Sequence, residues 1–162
     1  MNDIGPAERF VAGTIGEPGS RTFYIEVVSA VGSYWFLCEK GQVAALGSRA
    51  LELLSEASAL PDPDVVDMLL GRADLGDPGE VEFRIGAMSL SIIEEGDLIA
   101  VELINIEDKD DGIMFVAAPE QIQAMGLKAL ETVGQGRPIC QDCRLPMLEE
   151  HKCPARNGHT PH

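Results

Sequence analysis

Alternating apolar and polar residues, followed by a helical pattern, occur twice along this chain. Each occurrence combines short alternating segments with one continuous apolar run. The first occurrence has its segments at residues 9–15, 21–29 and 33–38, and the second has them at residues 88–92, 99–103 and 113–117. Strict alternation is typical of half-buried strands, and a short apolar run between turn residues is typical of a buried strand. The turns between the segments are short, which predicts mainly antiparallel pairing.

The helical pattern after each set of strands is nearly the same sequence written twice. Residues 42–54 align with residues 121–133 at an offset of 79, with six identities in 13 positions. The first strands also match, because Phe10–Gly13 resembles Phe83–Gly86 at an offset of 73. We interpret these similar segments, which occur in the same order, as an internal duplication.

Each repeated helix carries a glycine within or beside its apolar stripe. Gly47 lies three residues before Ala50, and Gly126 lies three residues before Ala129. Since a glycine inside a helix costs about 1 kcal/mol relative to alanine, we expect a close approach that offsets this cost. Our hypothesis is that the two helices cross each other, or the sheet, at these small residues.

These patterns predict an α+β fold with two strand-strand-strand-helix halves that share a mainly antiparallel sheet. The first domain would cover residues 1–136, with the duplicated halves at about 8–59 and 81–135. A connector over residues 60–80 would carry a short amphipathic helix docked on the core. Residues 137–162 would form a separate zinc-binding tail.

Charge is unevenly distributed along the 162 residues, whose net charge is −15. Residues 1–136 contain 8 basic and 24 acidic side chains, whereas residues 137–162 contain 4 basic and 3 acidic ones. Because nucleic-acid binding depends on neutralising phosphates, we expect the acidic main domain to bind another protein rather than nucleic acid. No apolar run approaches the roughly 20 residues of a membrane span, and residues 1–6 do not resemble a secretory signal. We therefore expect a cytoplasmic protein without membrane association.

The tail concentrates the residues that bind metals. Cys140 and Cys143 form a Cys-x-x-Cys pair, and nine residues separate this pair from Cys153. Thiolates and imidazoles are the ligands of tetrahedral zinc, and a Cys-x-x-Cys turn supplies two of the four. The fourth ligand is either His151 or His159, so the tail predicts one structural Zn²⁺ ion.

Three other functions of the tail are open. The cysteine pair could be a redox-active dithiol, although it lies outside a βαβ pattern. The zinc could be catalytic, with Glu149 or Glu150 as a base. The tail could also bind nucleic acid by itself, through the basic side chains of Arg137, Arg144, Lys152 and Arg156.

The main domain has fewer candidates for chemistry. Residues 1–136 contain no histidine, which excludes a Ser/His or Cys/His dyad there. Cys38 ends an apolar run, so we expect a buried thiol that acts as a small hydrophobic side chain. The acidic segment 107–112 is expected to be a solvated loop. The main alternative is a hydrolase or transferase site between the halves, lined by polar residues such as Arg9, Arg84, Glu26 and Glu102.

The tail also resembles a known family. The pattern Gly136-Arg-Pro-x-Cys-x-x-Cys-x-x-Pro, followed by His-x-Cys-Pro and Asn-Gly, is similar to the bacterial family called domain of unknown function 3090. The resemblance implies the same fold over nearly the whole chain and favours His151 as the fourth ligand. The sequence departs from the family pattern at Gln141, Arg144 and Glu150. Arg144 stands where the family has a glycine after the second cysteine, which affects the geometry of the Cys-x-x-Cys turn.

The family has no established activity, so the resemblance implies none for this chain. We therefore expect a non-enzymatic, cytoplasmic zinc-binding protein that acts as a protein-interaction or regulatory module. Its metal ligands would be Cys140, Cys143, Cys153 and His151.

Overall fold

The computed structural model describes residues 1–17, 19–57, 60–93 and 97–134. Within these ranges the strands and helices in chain order are β1 Asn2–Ile15, β2 Thr22–Ser29, β3 Gly32–Cys38, α1 Lys40–Glu56, α2 Pro63–Leu70, β4 Val81–Ile93, β5 Leu98–Asn105, β6 Gly112–Ala117 and α3 Pro119–Val133. The predicted α+β class is confirmed. β1 and β4 are longer than predicted, since each begins seven residues before its predicted segment.

The six strands form a closed barrel in the order β1-β2-β3-β4-β5-β6. β1, β2 and β3 pair antiparallel, as do β4, β5 and β6. Two parallel seams, β3 with β4 and β6 with β1, join the halves and close the barrel. The predicted sheet with mainly antiparallel pairing is thus confirmed, whereas its closure was not expected. A parallel pair requires a long crossover, and α1 and α2 provide it between β3 and β4.

One hydrophobic core fills the space between the strands and the two long helices. Its largest fully buried side chains include Phe36 and Phe115 from the strands and Ile122 and Met125 from α3. Phe10 meets Phe115 edge to face, with ring centroids 5.0 Å apart, a favourable aromatic arrangement. Helices α1 and α3 contribute to the same core, because their apolar stripes face inward.

The two long helices cross each other at their glycines, which is one of the two alternatives that the sequence predicted. A Cβ atom added at Gly47 would lie 2.9 Å from Leu130 Cγ, 3.0 Å from the carbonyl oxygen of Gly126 and 3.2 Å from Ala129 Cβ. At Gly126, an added Cβ atom would lie 3.1 Å from Ala50 Cβ and 3.3 Å from the carbonyl oxygen of Gly47. A Cβ atom at Gly47 would require a shift of its neighbours, and one at Gly126 would require them to move slightly, so glycine at both positions favours this close approach.

The strand registers show which positions of the two halves correspond. Ala12 pairs with Ile25, which pairs with Phe36; Leu90 pairs with Val101, which pairs with Phe115. Phe36 and Phe115 are 79 residues apart, the same offset as the repeated helices, so they are equivalent positions. Ala12 and Leu90 lie at the other end of the two equivalent rows, and they therefore correspond at an offset of 78. The proposed match of Phe10–Gly13 with Phe83–Gly86 at an offset of 73 is therefore wrong, and Phe10 corresponds to Met88.

The repeated glutamines make the same hydrogen bonds in both halves. The side-chain oxygens of Gln42 and Gln121 each accept from the backbone N–H of the residue just before the helix, at 2.8 Å. The amide nitrogen of Gln42 donates to the carbonyl of Ile85, and that of Gln121 donates to the carbonyl of Ala7. Each glutamine thereby caps its own helix and ties it to the first strand of the other half.

Candidate functional site

A cavity of about 240 Å³ lies between β1, α3 and the segment that follows α2. We call it the α3–β1 cavity. Its lining is Glu8, Arg9, Phe10, Val11, Leu69, Arg72, Ala73, Gln121, Ala124 and Met125. These residues come from both halves and from the connector, so this cavity is where a site between the halves could lie.

Arg9 is one of three charged residues that line this cavity, with Glu8 and Arg72, and its donors are directed at protein acceptors. Its Nε donates to Glu26 Oε1 at 2.9 Å, and the Glu26 side chain is only 11% exposed. Its Nη1 and Nη2 donate to the backbone carbonyls of Arg72 and Asp74. Arg9 therefore fastens the connector to the barrel and neutralises a nearly buried carboxylate.

Further contacts hold both ends of the connector against α3. The backbone N–H of Asp62 donates to Glu120 Oε2 at 3.0 Å, and the Asp62 side chain caps α2 by accepting from the N–H of Asp64. At the other end, Lys128 Nζ lies 3.0 Å from Asp74 Oδ1. The connector is thus attached by charged or capping groups on each side of α2.

Apolar contacts complete this attachment. Val66 of α2 is buried in a small cluster with Ala124 and Leu127 of α3, which confirms the predicted docking of a short amphipathic helix. Beyond α2, Leu75 packs against Gly13, where a Cβ atom would lie 3.1 Å from Leu75 Cγ. The connector therefore covers the groove between α3 and β1 and part of the outer barrel surface.

The corresponding groove of the other half lies between α1 and β4. We call it the α1–β4 groove; it has a volume of about 330 Å³ and is lined by Ala45, Leu46, Arg49, Met88, Ser89 and Leu90. At the helix offset of 79, Ala45 and Leu46 correspond to Ala124 and Met125. At the strand offset of 78, Met88 and Ser89 correspond to Phe10 and Val11. Ala124 and Val11 are buried, whereas Ala45 and Ser89 are exposed. Among the described residues, no segment covers this groove as the connector covers its counterpart.

The charged residues proposed for a site between the halves form separate pairs. Arg9 bonds to Glu26, and Arg84 Nη1 donates to Glu39 Oε1 at 2.7 Å. Glu102 receives a long hydrogen bond of 3.4 Å from the hydroxyl of Ser89. Glu26 and Glu102 do correspond in the two registers, but Arg84 corresponds to Pro6 rather than to Arg9. The structure thus brings together Arg9 and Glu26 only.

A third cavity, of about 340 Å³, lies where several strands begin, and three carboxylates line it. These are the side chains of Asp3, Glu82 and Asp111. Asp3 accepts from the N–H of Gly5, and Asp111 accepts from Asn105 Nδ2 at 2.9 Å. Sequence reasoning did not find this cavity, because the barrel closure that assembles it is not local.

The acidic segment before β6 is an exposed loop, as predicted. Its side chains bond within the loop, since Asp108 Oδ1 accepts from the N–H of Asp110 at 3.0 Å. Across the described ranges, no group of three or more histidine, cysteine, aspartate or glutamate side chains could hold a metal ion.

Cys38 is buried in the core, at 5% exposure. Burial away from water is the main cause that raises the pKa of its thiol to about 12, and the neighbouring carboxylate of Glu39 adds to the effect. The reactive form of cysteine is the thiolate, so this thiol is unreactive near neutral pH. The prediction of a buried, apolar cysteine is confirmed.

The predicted zinc ligands lie outside the described residues. These are Cys140, Cys143, His151 and Cys153, together with the alternative ligand His159. The basic side chains that were considered for nucleic-acid binding belong to the same segment, so those predictions remain predictions.

Comparison with known proteins identifies a family but no activity. The family described as "Protein of unknown function (DUF3090)" matches residues 3–153. The matched region includes Cys140, Cys143, His151 and Cys153, and it ends before His159. No curated protein and no solved structure matches the chain. Because the match covers most of its length, the chain belongs to the DUF3090 family.

Within the described residues, the helices are too short or too polar to span a membrane.

Proposed function

We propose that this DUF3090 family member is a cytoplasmic zinc-binding protein that acts through protein contacts rather than by catalysis. The observation that carries the proposal is the ligand set in the tail. Three cysteines and one histidine, spaced Cys-x-x-Cys and His-x-Cys, fall inside the region that the family shares. Such a donor set suits Zn²⁺, because thiolate and imidazole ligands form closed tetrahedral structural sites.

The assignment of the four ligands follows from the same observation. Cys140 and Cys143 would supply two thiolates from one turn, and Cys153 would supply the third. His151 is the better fourth ligand, because it lies within the family match whereas His159 lies beyond it. Metal binding would stabilise a segment with little apolar surface of its own, and reduced thiols persist in the cytoplasm.

A role in protein contacts is supported by the way the main domain uses its polar groups. Arg9, Gln42 and Gln121 are bonded to acceptors that hold the strands, helices and connector together. In the described part of the chain, each fully buried side-chain nitrogen or oxygen has a hydrogen-bond partner. These groups thus have a structural function, and the acidic surface favours partners with a basic surface.

Metal analysis of the full chain tests the proposal. We expect about one zinc per chain, retained by Cys38→Ala and by His159→Ala. We expect its loss in Cys140→Ser, Cys153→Ser and His151→Ala. The Cys38→Ala variant is the matched control, because it removes a cysteine that lies in the core.

Two results would overturn parts of this proposal. Wild-type protein without zinc, purified under reducing conditions, would remove the zinc site. Zinc that is held by three cysteines with an exchangeable water would argue for catalysis instead, because catalytic zinc sites keep an open position.

A further inference from the structure

The two halves differ in what covers their grooves, and the chain order points to the missing cover. The segment that follows α1 turns back and covers the groove between α3 and β1. By the same correspondence, the segment that follows α3 is the tail, and the groove related to it lies between α1 and β4. Residues 57–80 number 24 between α1 and β4, and the 29 residues 134–162 follow α3, so the tail is long enough for an equivalent path.

The tail carries apolar residues at the corresponding distance from its helix. At the offset of 79, Val66 and Leu69 of the connector correspond to Leu145 and Leu148, and a methionine precedes the leucine in both segments. Pro146 takes the place of Asp67, inside α2. Because proline is unfavourable within a helix, the correspondence extends to the apolar spacing and not to a copy of α2.

Charge on the groove also fits the tail. Arg49 occupies the position of Lys128, which binds Asp74 of the connector at 3.0 Å. Arg49 forms an ion pair with Glu52 of its own helix at 3.1 Å, and both side chains are exposed, at 43% and 64%. Such an exposed pair contributes little to stability. The tail places two carboxylates, Glu149 and Glu150, directly after Leu148. In the connector, the acidic side chain that meets α3 is Asp74, five residues after Leu69, so the tail shares the order of apolar and acidic residues but not their spacing.

We propose that residues 145–150 of the tail dock in the α1–β4 groove, with Leu145 and Leu148 against Leu46 and Met88 and a following glutamate beside Arg49. The docking segment lies between the two pairs of proposed zinc ligands, so zinc would present it as a closed loop. The inference does not depend on zinc, because it rests on the groove, the chain order and the apolar spacing. A bound tail would cover the groove that we find open among the described residues.

Methyl NMR on the full chain with labelled methionine and leucine methyl groups tests this proposal directly. We expect nuclear Overhauser effects between the methyl groups of Leu145 or Leu148 and the ε-methyl group of Met88. We also expect the Met88 signal to shift in the Leu145→Asp/Leu148→Asp variant. The matched control is Leu60→Asp, which places a charge on a leucine that is 86% exposed in the connector and should leave Met88 unchanged.

The outcomes separate this inference from the zinc proposal. Zinc content is measured on the same samples, so bound zinc without contacts to Met88 would overturn the docking and leave the metal site intact. Contacts without zinc would support the docking and overturn the metal site. A concentration-dependent contact, with a dimer in light scattering, would show that a second copy fills the groove and would overturn the intramolecular docking.

Discussion

The contact between the two long helices allows a quantitative test at Gly47. A leucine there would place its Cβ 2.9 Å from Leu130 Cγ and 3.0 Å from a backbone oxygen, and three further carbon atoms would need space in the same contact. Overpacking a well-packed core costs about 1–3 kcal/mol, and more where the backbone must move. We therefore expect Gly47→Leu to lose about 3 kcal/mol, a large part of the roughly 5–15 kcal/mol by which domains are stable.

Alanine substitutions separate the steric cost from helix propensity. Replacing a helical glycine by alanine gains up to about 1 kcal/mol if space allows. Gly41 lies in the first turn of the same helix, and an added Cβ atom there would meet nothing within 4 Å. Gly41→Ala should therefore be neutral or stabilising, whereas Gly47→Ala should be less stable than Gly41→Ala by about 1–3 kcal/mol.

Urea unfolding followed by circular dichroism measures these differences. We expect the midpoint of Gly47→Leu to fall, and its melting temperature to drop by about 6–12 °C, at the roughly 2–4 °C per kcal/mol of a domain this size. Gly126→Leu should behave in the same direction, because its added Cβ would lie 3.1 Å from Ala50. Melting temperatures within about 1 °C of wild type for both leucine variants would refute the close helix crossing.

Three further predictions concern the connector and the buried thiol. Arg9→Met should lower the free energy of unfolding in urea by about 2–3 kcal/mol, because Glu26 is left without its cation. Adding Glu26→Leu should recover part of this loss. An Arg9→Met variant as stable as wild type would contradict the role of Arg9 in fastening the connector. Asp62→Ala should lower the free energy of unfolding by about 1 kcal/mol. It should speed amide hydrogen exchange in α2 more than in the barrel strands, because Asp62 caps α2. An equal increase in exchange rate in α2 and in the strands would contradict this local effect. Alkylation of Cys38, followed by mass spectrometry, should keep rising with pH past 9 toward the pKa of about 12; a plateau near pH 9 would show an exposed thiol.

Local signals predicted the elements and the helix crossing. β2 and β5 alternate between core and outside, and the period of the apolar residues in α1 and α3 is helical, so each could be identified without its neighbours. The crossing could be predicted because a helical glycine has a local cost that requires a compensating contact. The glycines did not indicate the partner, because a close approach to the sheet would offset the same cost; the structure places Gly47 and Gly126 against each other.

Non-local pairing explains what the sequence did not predict. The seams β3–β4 and β6–β1 join strands that are separated by long segments, and no turn residue records such a pairing. Arg9 was considered for a site between the halves, but its three acceptors lie 17, 63 and 65 residues away. The correct correspondence of Phe10 with Met88 also required the registers, because Phe83 offered an identical side chain at the wrong offset.

The difference between the two grooves follows from one position in the first strand of each half. Arg9 clamps the connector onto β1, and its counterpart in β4, at the offset of 78, is Ala87, which is exposed and has no charge to offer. A segment that docks in the α1–β4 groove therefore lacks the charge-assisted bonds that hold the connector, worth about 1.5–3 kcal/mol each in proteins. It would be held by apolar contacts and by Arg49 alone. The connector is thus fastened to the barrel by charge-assisted bonds, and we expect the proposed contact of the tail, which would lack them, to be weaker and open to exchange for a partner protein.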